Sequence, residues 1–485
     1  MDSQEKDTRP EKSSPEVSGP NITGGQDTRE ILNGSINASI WRLAVPTWGG
    51  FVFLNLMHLV DMFFVGKLGP VAVAGVTMSS VMIGIVIVVA LGIEGGTTAL
   101  VANAFGREDE RQAGIVTGQG LFIAMVLAVA LAAFGIPLAP HILRLLGAEP
   151  GVVEVGSGYL RIISGGGLAL LLHISLAAAL RGAGDAVTPA KTLILANALN
   201  AILDPLLIFG MFGFPKLGVA GSALATILGR GLAILALLIF MLSSRKSILE
   251  LHVSDIRPRF EIIGRILRIG VFASGRAMLR NLGRLILMRL TASFGTAAVA
   301  AFGIGFRLQM LVLAPGKGFG TAAATMIGQN LGANQPGRAS RSGWTATGTA
   351  MIIGGCLTAL FWADPHMLIR VFNKDPEVVE AGATLLKWFS ASFPLMAAGI
   401  VLSQGMIGAG ESLRPMIVTG MSQVVIAVPL AVFLAARWES VDGIWVALFT
   451  GNIAMGLLNA LLFQSGAWKH TGARPGKTLE VSGQS

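Results

Sequence analysis

The sequence is poor in the residue types on which soluble domains and metal sites depend. Only 13% of its 485 residues are charged, and Cys356 is its one cysteine. A single cysteine excludes an intrachain disulfide and a thiolate metal cluster, and the histidines show no spacing typical of metal ligands. Soluble domains carry about 25% charged residues, so this chain has about half of their usual share. These shortages argue against a soluble metalloenzyme and predict no cofactor.

Apolar residues dominate instead. They make up 53% of the chain, the mean hydropathy is +0.69, and they form blocks of about 20–25 residues, each able to cross ~30 Å of hydrocarbon as a helix. The ten-residue alternating segments typical of membrane β-barrels are missing. The formal charge of +9 does not gather on a soluble module, so no nucleic-acid partner is expected. The composition predicts an all-α polytopic protein of the lipid bilayer.

Twelve membrane-spanning helices can be placed on the chain. They lie at roughly 41–64, 72–100, 114–136, 157–179, 189–212, 218–243, 266–291, 297–326, 343–362, 380–403, 415–436 and 443–466. The predicted divisions are a disordered cytoplasmic tail (1–37), an N-lobe of six helices (38–243), a cytoplasmic linker (244–265), a C-lobe of six helices (266–466) and a second cytoplasmic tail (467–485). Lysine and arginine are concentrated in the linker and in the loops on its side, which places both termini in the cytoplasm. A multi-pass protein of the plasma or inner cell membrane is expected.

An internal repeat relates the two halves of the chain. Four pairs of segments share one offset of 226 residues: RLAVP (42–46) with RIGVF (268–272), KLGPVAVAG (67–75) with SFGTAAVAA (293–301), ANAFGR (102–107) with GQNLGA (328–333), and RGAGDAVTP (181–189) with IGAGESLRP (407–415). Because each half has an even number of spans, both halves enter the membrane in the same orientation. Parallel repeats are typical of transporters, whose substrate binds between the lobes near the middle of the membrane.

Three stretches of the first half carry a family resemblance. They are HLVDMFFVGKLGPVAVAG in span 1, TTALVANAFGRED at the end of span 2, and LRGAGDAVTPAKTLILANALNAILDP leading into span 5. With their echoes in the second half, they resemble the multidrug and toxic compound extrusion (MATE) family of cation-coupled antiporters over about residues 38–466. The resemblance implies two lobes in a V and export of organic compounds against influx of H⁺ or Na⁺. A span 7 glutamate used by one branch is Arg280 here, whereas the DinF-like branch implies an N-lobe coupling site at Asp61, Asn200, Asp204 and Thr226.

Asp204 raises the question of why span 5 contains a carboxylate. An acidic residue at bilayer depth costs about 2.5–3.5 kcal/mol on insertion scales. Asn197, Asn200 and Asp204 stand at steps of three and four and share one helix face. The rise per residue places Asp61 and Thr226 at a similar depth. The pattern predicts a proton or Na⁺ site at Asp61 and Asp204, and the alternative is a set of hydrogen-bonded pins between helices.

The predicted C-lobe is basic inside its spans. The interior basic residues are Arg276, Arg280 and Arg284 on one face of span 7, Arg307 in span 8 and Lys387 in span 10. Three intramembrane arginines cost about 8–10 kcal/mol on the lowest scale, so they should face water or a partner. They could pair with acids across the cleft, bind an anionic substrate through the guanidinium fork, or form a hydrated wall. Glu94, late in span 2, is predicted to be a gate or a structural pin.

The function predicted from these observations is a secondary active exporter. A small-molecule drug or metabolite would leave by alternating access from a monomeric protein, driven by H⁺ or Na⁺ at the N-lobe site. One alternative is an exporter of anionic metabolites that uses the span 7 arginines. Another is a lipid-linked precursor flippase, which would need two further spans. An enzyme is not expected, because no catalytic groups cluster at one membrane interface.

Overall fold

The computed structural model describes residues 23–243, 249 and 251–470, and every regular element in that part of the chain is helical. The first half contains α1 (Thr23–Asn33), α2 (Ile36–Gly66), α3 (Pro70–Gly106), α4 (Glu110–Leu145), α5 (Pro150–Gly165), α6 (Gly167–Ala183), α7 (Val187–Phe209) and α8 (Val219–Ser243). The second half contains α9 (Phe260–Ala292), α10 (Thr296–Gly332), α11 (Pro336–Ala363), α12 (Pro365–Arg370), α13 (Pro376–Ala391), α14 (Phe393–Gly408), α15 (Leu413–Gly420), α16 (Ala427–Trp438) and α17 (Asp442–Gln464). A π-helical segment, Met421–Ile426, joins α15 to α16.

The chain crosses the membrane twelve times. Within the described residues, nine helical stretches are long and apolar enough to span a bilayer alone, α15 to α16 counting as one. Two further crossings are bent pairs, α5 with α6 at 48° and α13 with α14 at 51°. The twelfth is α9, whose 33 residues exceed the length of a span and whose arginines lower its hydropathy. The predicted fold class is confirmed, and the two bends are features that hydropathy did not indicate.

The duplication is visible residue by residue in the helix boundaries. α3 and α10 each have 37 residues and begin at Pro70 and Thr296, 226 positions apart. The turns between the helices repeat as well, because left-handed backbone conformations recur at the same offset. The matched pairs are Gly69 with Gly295, Glu108 with Asn334, and Gly184 with Gly410. Two lobes of six crossings, arranged in a V, are therefore built on one repeated template.

Part of the predicted N-terminal tail is folded, so the expectation of disorder over residues 1–37 is wrong from residue 23 onward. α1 buries Ile31, which is 4% exposed, against core side chains of both lobes. Arg338 of α11 donates hydrogen bonds to the carbonyl oxygens of Ile31 at 2.9 Å and Gly34 at 2.6 Å. These bonds satisfy carbonyls that a helix leaves unpaired at its C-terminus. Residues 1–22 lie outside the described part of the chain.

The predicted linker and C-terminal tail also contain ordered pieces. α9 begins at Phe260, six residues before the predicted C-lobe boundary, and Val253–Ile256 forms a 3₁₀ turn within the linker. Trp468, placed in the tail by the sequence, is 1% exposed and stacks on Phe463 at 4.6 Å. Local composition hides both. Asp255 of the 3₁₀ turn is bonded by Gln119, 136 residues away, and Trp468 lies in a buried cluster with residues of α2 and α10. Residues 244–248, 250 and 471–485 are outside the description.

The lobes approach each other most closely at the end of the bundle that carries the linker and α1, here called the linker end. A Cβ atom on Gly92 of α3 would lie 2.5 Å from the carbonyl oxygen of Gly270 in α9. A Cβ atom on Gly106 would lie 1.9 Å from the carbonyl oxygen of Gln329 in α10. Only glycine permits such contacts between helix backbones. The two lobes are thus closed against each other at the linker end.

Candidate functional site

A cavity of about 670 Å³ lies within the first lobe and is bounded on one side by α10 of the second lobe. Its charged lining residues are Asp61, Glu94, Arg181, Arg230 and Lys317. Its uncharged polar lining includes Thr47, Asn55, His58, Ser80, Tyr159, His173, Asn197, Asn200 and Thr226. The rest of the wall is mainly apolar, contributed by α2, α3, α6, α7 and α8. A largely apolar cavity with a few convergent polar groups is the usual form of a small-molecule site.

Two carboxyl groups meet at the wall of this cavity. Asp61 of α2 lines it, and Asp204 of α7 is completely buried behind it. The carboxyl groups are close enough for a hydrogen bond between them. Ser222 Oγ donates to Asp61 Oδ1 at 2.7 Å, whereas Asp204 Oδ2 receives no hydrogen bond from any other described group. Because two carboxylates in contact repel, the arrangement is suited to holding one proton between them.

Amide and hydroxyl groups connect this pair to the neighbouring helix. Asn200 Nδ2 donates to Asp204 Oδ1 and to Thr226 Oγ1, each at 3.3 Å. Asn197 lines the same cavity, but its amide donates to the carbonyl oxygen of Leu193 at 2.7 Å. The structure therefore brings four of the five predicted N-lobe residues into one hydrogen-bonded cluster. Asn197 lies nearby without a bond to that cluster.

The basic residues predicted in the C-lobe are placed elsewhere. Arg276 donates to Ser403 Oγ and, at 2.7 Å, to Gln404 Oε1. Arg284 lies over the ring of Phe306, with its guanidinium carbon 5.5 Å from the centroid. None of the five predicted residues, Arg276, Arg280, Arg284, Arg307 and Lys387, lines the N-lobe cavity. At least two of the span 7 arginines have partners inside their own lobe.

Several polar residues of the cavity were not singled out by the sequence, among them His58, Tyr159, His173 and Arg230. Arg230 had a recognisable signal, because it follows Thr226 by one helical turn on the same face of α8. Tyr159 is the chain's one tyrosine, and it is 6% exposed. His173 is held through its ring nitrogen Nε2, 3.1 Å from Thr192 Oγ1.

An ion pair borders the cavity toward the linker end. Glu94 of α3 and Arg181 of α6 are 2.6 Å apart, and both side chains are more than three-quarters buried. The carbonyl oxygen of Arg181 accepts a hydrogen bond from Thr325 Oγ1 of α10 at 2.8 Å. Lys317, also on α10, lies within the electrostatic reach of Glu94. The predicted gate residue thus belongs to a polar connection between the two lobes.

Comparison with known proteins matches both halves of the chain to one protein family. The family model MatE matches residues 46–206 and 274–433, one segment in each lobe. "Probable multidrug resistance protein YoeA" of Bacillus subtilis is 30% identical over 441 residues, which cover 89% of this chain and 95% of that protein. "Probable multidrug resistance protein NorM" of Thermotoga maritima is 29% identical over 441 residues, covering 90% and 93%.

A solved structure has the same fold over nearly its whole length. It is described as the outward-facing conformation of a multidrug resistance MATE family transporter of the MOP superfamily. The TM-score is 0.84 at 24% identity, and the match covers 90% of this chain and 97% of that one. The twelve-helix, two-lobe arrangement is therefore shared.

Proposed function

The chain belongs to the MatE family and is a multi-pass membrane transporter, not an enzyme, and from this premise we propose that it exports organic compounds in exchange for protons. Both relatives described above carry multidrug-resistance names, which supports drugs or toxic metabolites as cargo. The protein is proposed to act as a monomer in the plasma or inner cell membrane. The basic linker favours both termini in the cytoplasm.

The observation that carries this proposal is the contact between Asp61 and Asp204. Asp204 Oδ2 has no donor in the described structure, and Asp61 is the neighbouring group that can share a proton with it. A sodium site would instead need several acceptor oxygens around the cation. Here the groups that contact the pair, Ser222 Oγ and Asn200 Nδ2, act as donors. The chemistry around the carboxyl groups therefore favours H⁺ over Na⁺ as the coupling ion.

Exchange follows if proton and substrate compete for the same carboxyl pair. A substrate group with positive charge binds best when the pair is fully ionised, and a proton that arrives from outside neutralises one carboxylate and weakens that binding. The lobes are closed at the linker end, so the cavity in this conformation belongs to the opposite, outward side. Alternating closure at the two ends then converts proton entry into substrate exit.

Gradient-driven uptake of ethidium into proteoliposomes tests the coupling. Asp204→Asn is expected to abolish uptake driven by a pH gradient while leaving ethidium binding measurable. Glu154→Gln, a change at an exposed carboxylate of α5, is the matched control and should transport like the wild type. Full pH-driven uptake by Asp204→Asn would refute the proposal, and uptake that follows only a sodium gradient would replace H⁺ by Na⁺.

The same vesicles test the alternative of an anion exporter. If the arginines of α9 form the substrate site, a dicarboxylate should be transported and Arg280→Gln should abolish its transport. The hydrogen bonds of Arg276 and the ring contact of Arg284 favour a structural role for this face. We therefore expect no dicarboxylate transport.

A further inference from the structure

Arg230 is a cation near the middle of the membrane for which the described residues provide no counterion. It lies on α8, lines the N-lobe cavity, and forms no salt bridge or side-chain hydrogen bond with the described residues. An intramembrane arginine costs at least about 2.5–3.5 kcal/mol, and such residues normally face a pathway or a partner. A charge of this kind, directed into a cavity, indicates a ligand with the opposite charge.

The other charged groups of the cavity do not neutralise Arg230. Glu94 already holds Arg181 at 2.6 Å, and no carboxylate lies within 4.0 Å of Arg230 in the described structure. The groups within electrostatic reach of the guanidinium include the phenol of Tyr159 and the imidazoles of His58 and His173. The phenol is also within reach of Asp61. The cationic and the anionic position therefore belong to one cavity and share neighbours.

The spacing of these two positions follows from α8. Ser222, Thr226 and Arg230 stand at steps of four residues, so their side chains share one face. Ser222 contacts Asp61, and Arg230 lies two turns farther along the helix, roughly 12 Å at the rise of an α-helix. Thr226 and Tyr159 are polar residues of this cavity wall, and most of the remaining wall is apolar, with Ile163 and Leu170 among its residues. The cavity thus combines an acidic position, a basic position and a largely apolar wall.

We propose that the substrate is an amphiphilic zwitterion whose anionic group, a carboxylate or phosphate, binds Arg230 while its cationic part lies at Asp61. This rests on the proposed proton exchange, because competition with a proton requires a positive group at the carboxyl pair. A purely anionic substrate would bind better when the pair is protonated, which is the opposite of exchange. The guanidinium fork matches a carboxylate or phosphate through two hydrogen bonds, so the contact is specific in geometry and in charge.

Rhodamine B and its ethyl ester test the proposal as a matched pair of probes. Both carry the same cationic ring system, but only rhodamine B has a free carboxylate. In fluorescence anisotropy titrations of the purified protein, Arg230→Gln should weaken rhodamine B binding roughly tenfold to hundredfold. Binding of the ester should stay within about twofold of wild type, which also shows that the variant is folded. Arg230→Lys should fall between wild type and Arg230→Gln, because it keeps the charge and loses the fork.

Arg289→Gln, a change at an exposed arginine outside the cavity, is the control and should bind both probes like the wild type. Equal losses for both probes in Arg230→Gln, no loss for either, or a wild type that binds neither probe would overturn the proposal. These titrations need no gradient, so they are independent of coupling. Failure of the proposed proton exchange would appear instead as gradient-driven transport in Asp204→Asn.

Discussion

At the positions where the first lobe carries Asp61 and Asp204, the second lobe carries Leu287 and Leu430, 226 residues later. Leu287 is 1% exposed and belongs to the apolar core of the second lobe, against which Leu430 packs. The repeated scaffold therefore closes without carboxylates at these positions. Their presence in one lobe only indicates that they serve the cavity rather than the fold.

The reverse difference holds for the arginines. Arg276 and Arg280 of α9 correspond to Gly50 and Leu54 of α2, which line the cavity of the first lobe. Arg230, in turn, corresponds to Gly456, a close-packing glycine of α17. One template thus carries acidic groups around a cavity in one copy. In the other copy it carries arginines, of which Arg276 and Arg284 have partners in their own lobe. Exchanging these side chains between lobes shows which are needed for stability and which for transport.

Placing a carboxylate in the second lobe should have the largest effect on stability. Leu287→Asp removes a core leucine and buries a charge without a partner, so we expect the free energy of unfolding to fall by about 3–5 kcal/mol. Thermal unfolding in detergent measures the loss. Leu287→Met, which conserves volume, should lose less than about 1.5 kcal/mol. An unchanged unfolding midpoint for Leu287→Asp would mean that this site is hydrated, contrary to its burial.

Replacing the two aspartates of the first lobe by the leucines found in the second lobe should reduce transport without reducing stability. The double change Asp61→Leu with Asp204→Leu is expected to reduce gradient-driven transport about a hundredfold, the upper range of a typical coupling free energy. Replacing buried charged groups by apolar ones of similar size is commonly neutral or stabilising, so the unfolding midpoint should stay equal or rise. Transport assays and thermal unfolding on one preparation measure both. A much lower midpoint would show that the carboxyl groups are pins between helices.

The internally bonded arginines should affect stability more than binding. Arg276→Gln removes charged donors from Ser403 and Gln404, and we expect unfolding to become easier by about 1–2 kcal/mol. Rhodamine B affinity should stay at the wild-type value, in contrast to Arg230→Gln. Rhodamine B titration and thermal unfolding of Arg276→Gln and Arg230→Gln measure affinity and stability for both variants. An affinity loss with unchanged stability would place the substrate site on α9, as one sequence hypothesis had it.

Most of the fold could be predicted because hydropathy and the 226-residue offset are local properties of the sequence. The features that escaped depend on distant partners. α1 is ordered through Arg338, which lies about 300 residues away, and Trp468 lies in a buried cluster with residues of α2 and α10. The bends between α5 and α6 and between α13 and α14 leave no clear hydropathy signal, because an apolar span remains apolar when it bends.

The candidate site could be predicted in part for the same reason. Asp204 and Asn200 share a helix face that the sequence displays, whereas their contacts with Asp61 and Thr226 depend on how three helices pack. Arg230 was missed although it shares a face of α8 with Thr226, because a single arginine in an apolar span does not by itself reveal whether it faces lipid, protein or a cavity. The three arginines of α9 were interpreted as a cleft surface because Ser403 and Gln404, the partners of Arg276, are far away in sequence.

The linker gives the smallest expected effect. Asp255 is completely buried against α4, where Arg111 Nη1 donates to its Oδ2 at 2.7 Å. Burial alone would raise the pKa of Asp255, but hydrogen bonds from Arg111 and the His252 backbone, with their charges, hold that pKa below its usual value. A depressed folded-state pKa means that the ionised form stabilises the fold above about pH 4, the ordinary value for aspartate, and that this stabilisation is lost as the pH falls through the folded-state pKa.

Asp255→Asn should therefore unfold at a lower temperature than the wild type at neutral pH, and the difference should shrink as the pH falls below about 4. Thermal unfolding of both proteins across a pH series measures this difference. Asp109→Asn, at the exposed N-cap of α4, is a control for general acid effects on the same helix. A difference that persists unchanged in acid would mean that the buried shape of the side chain, rather than its charge, holds the linker on the first lobe.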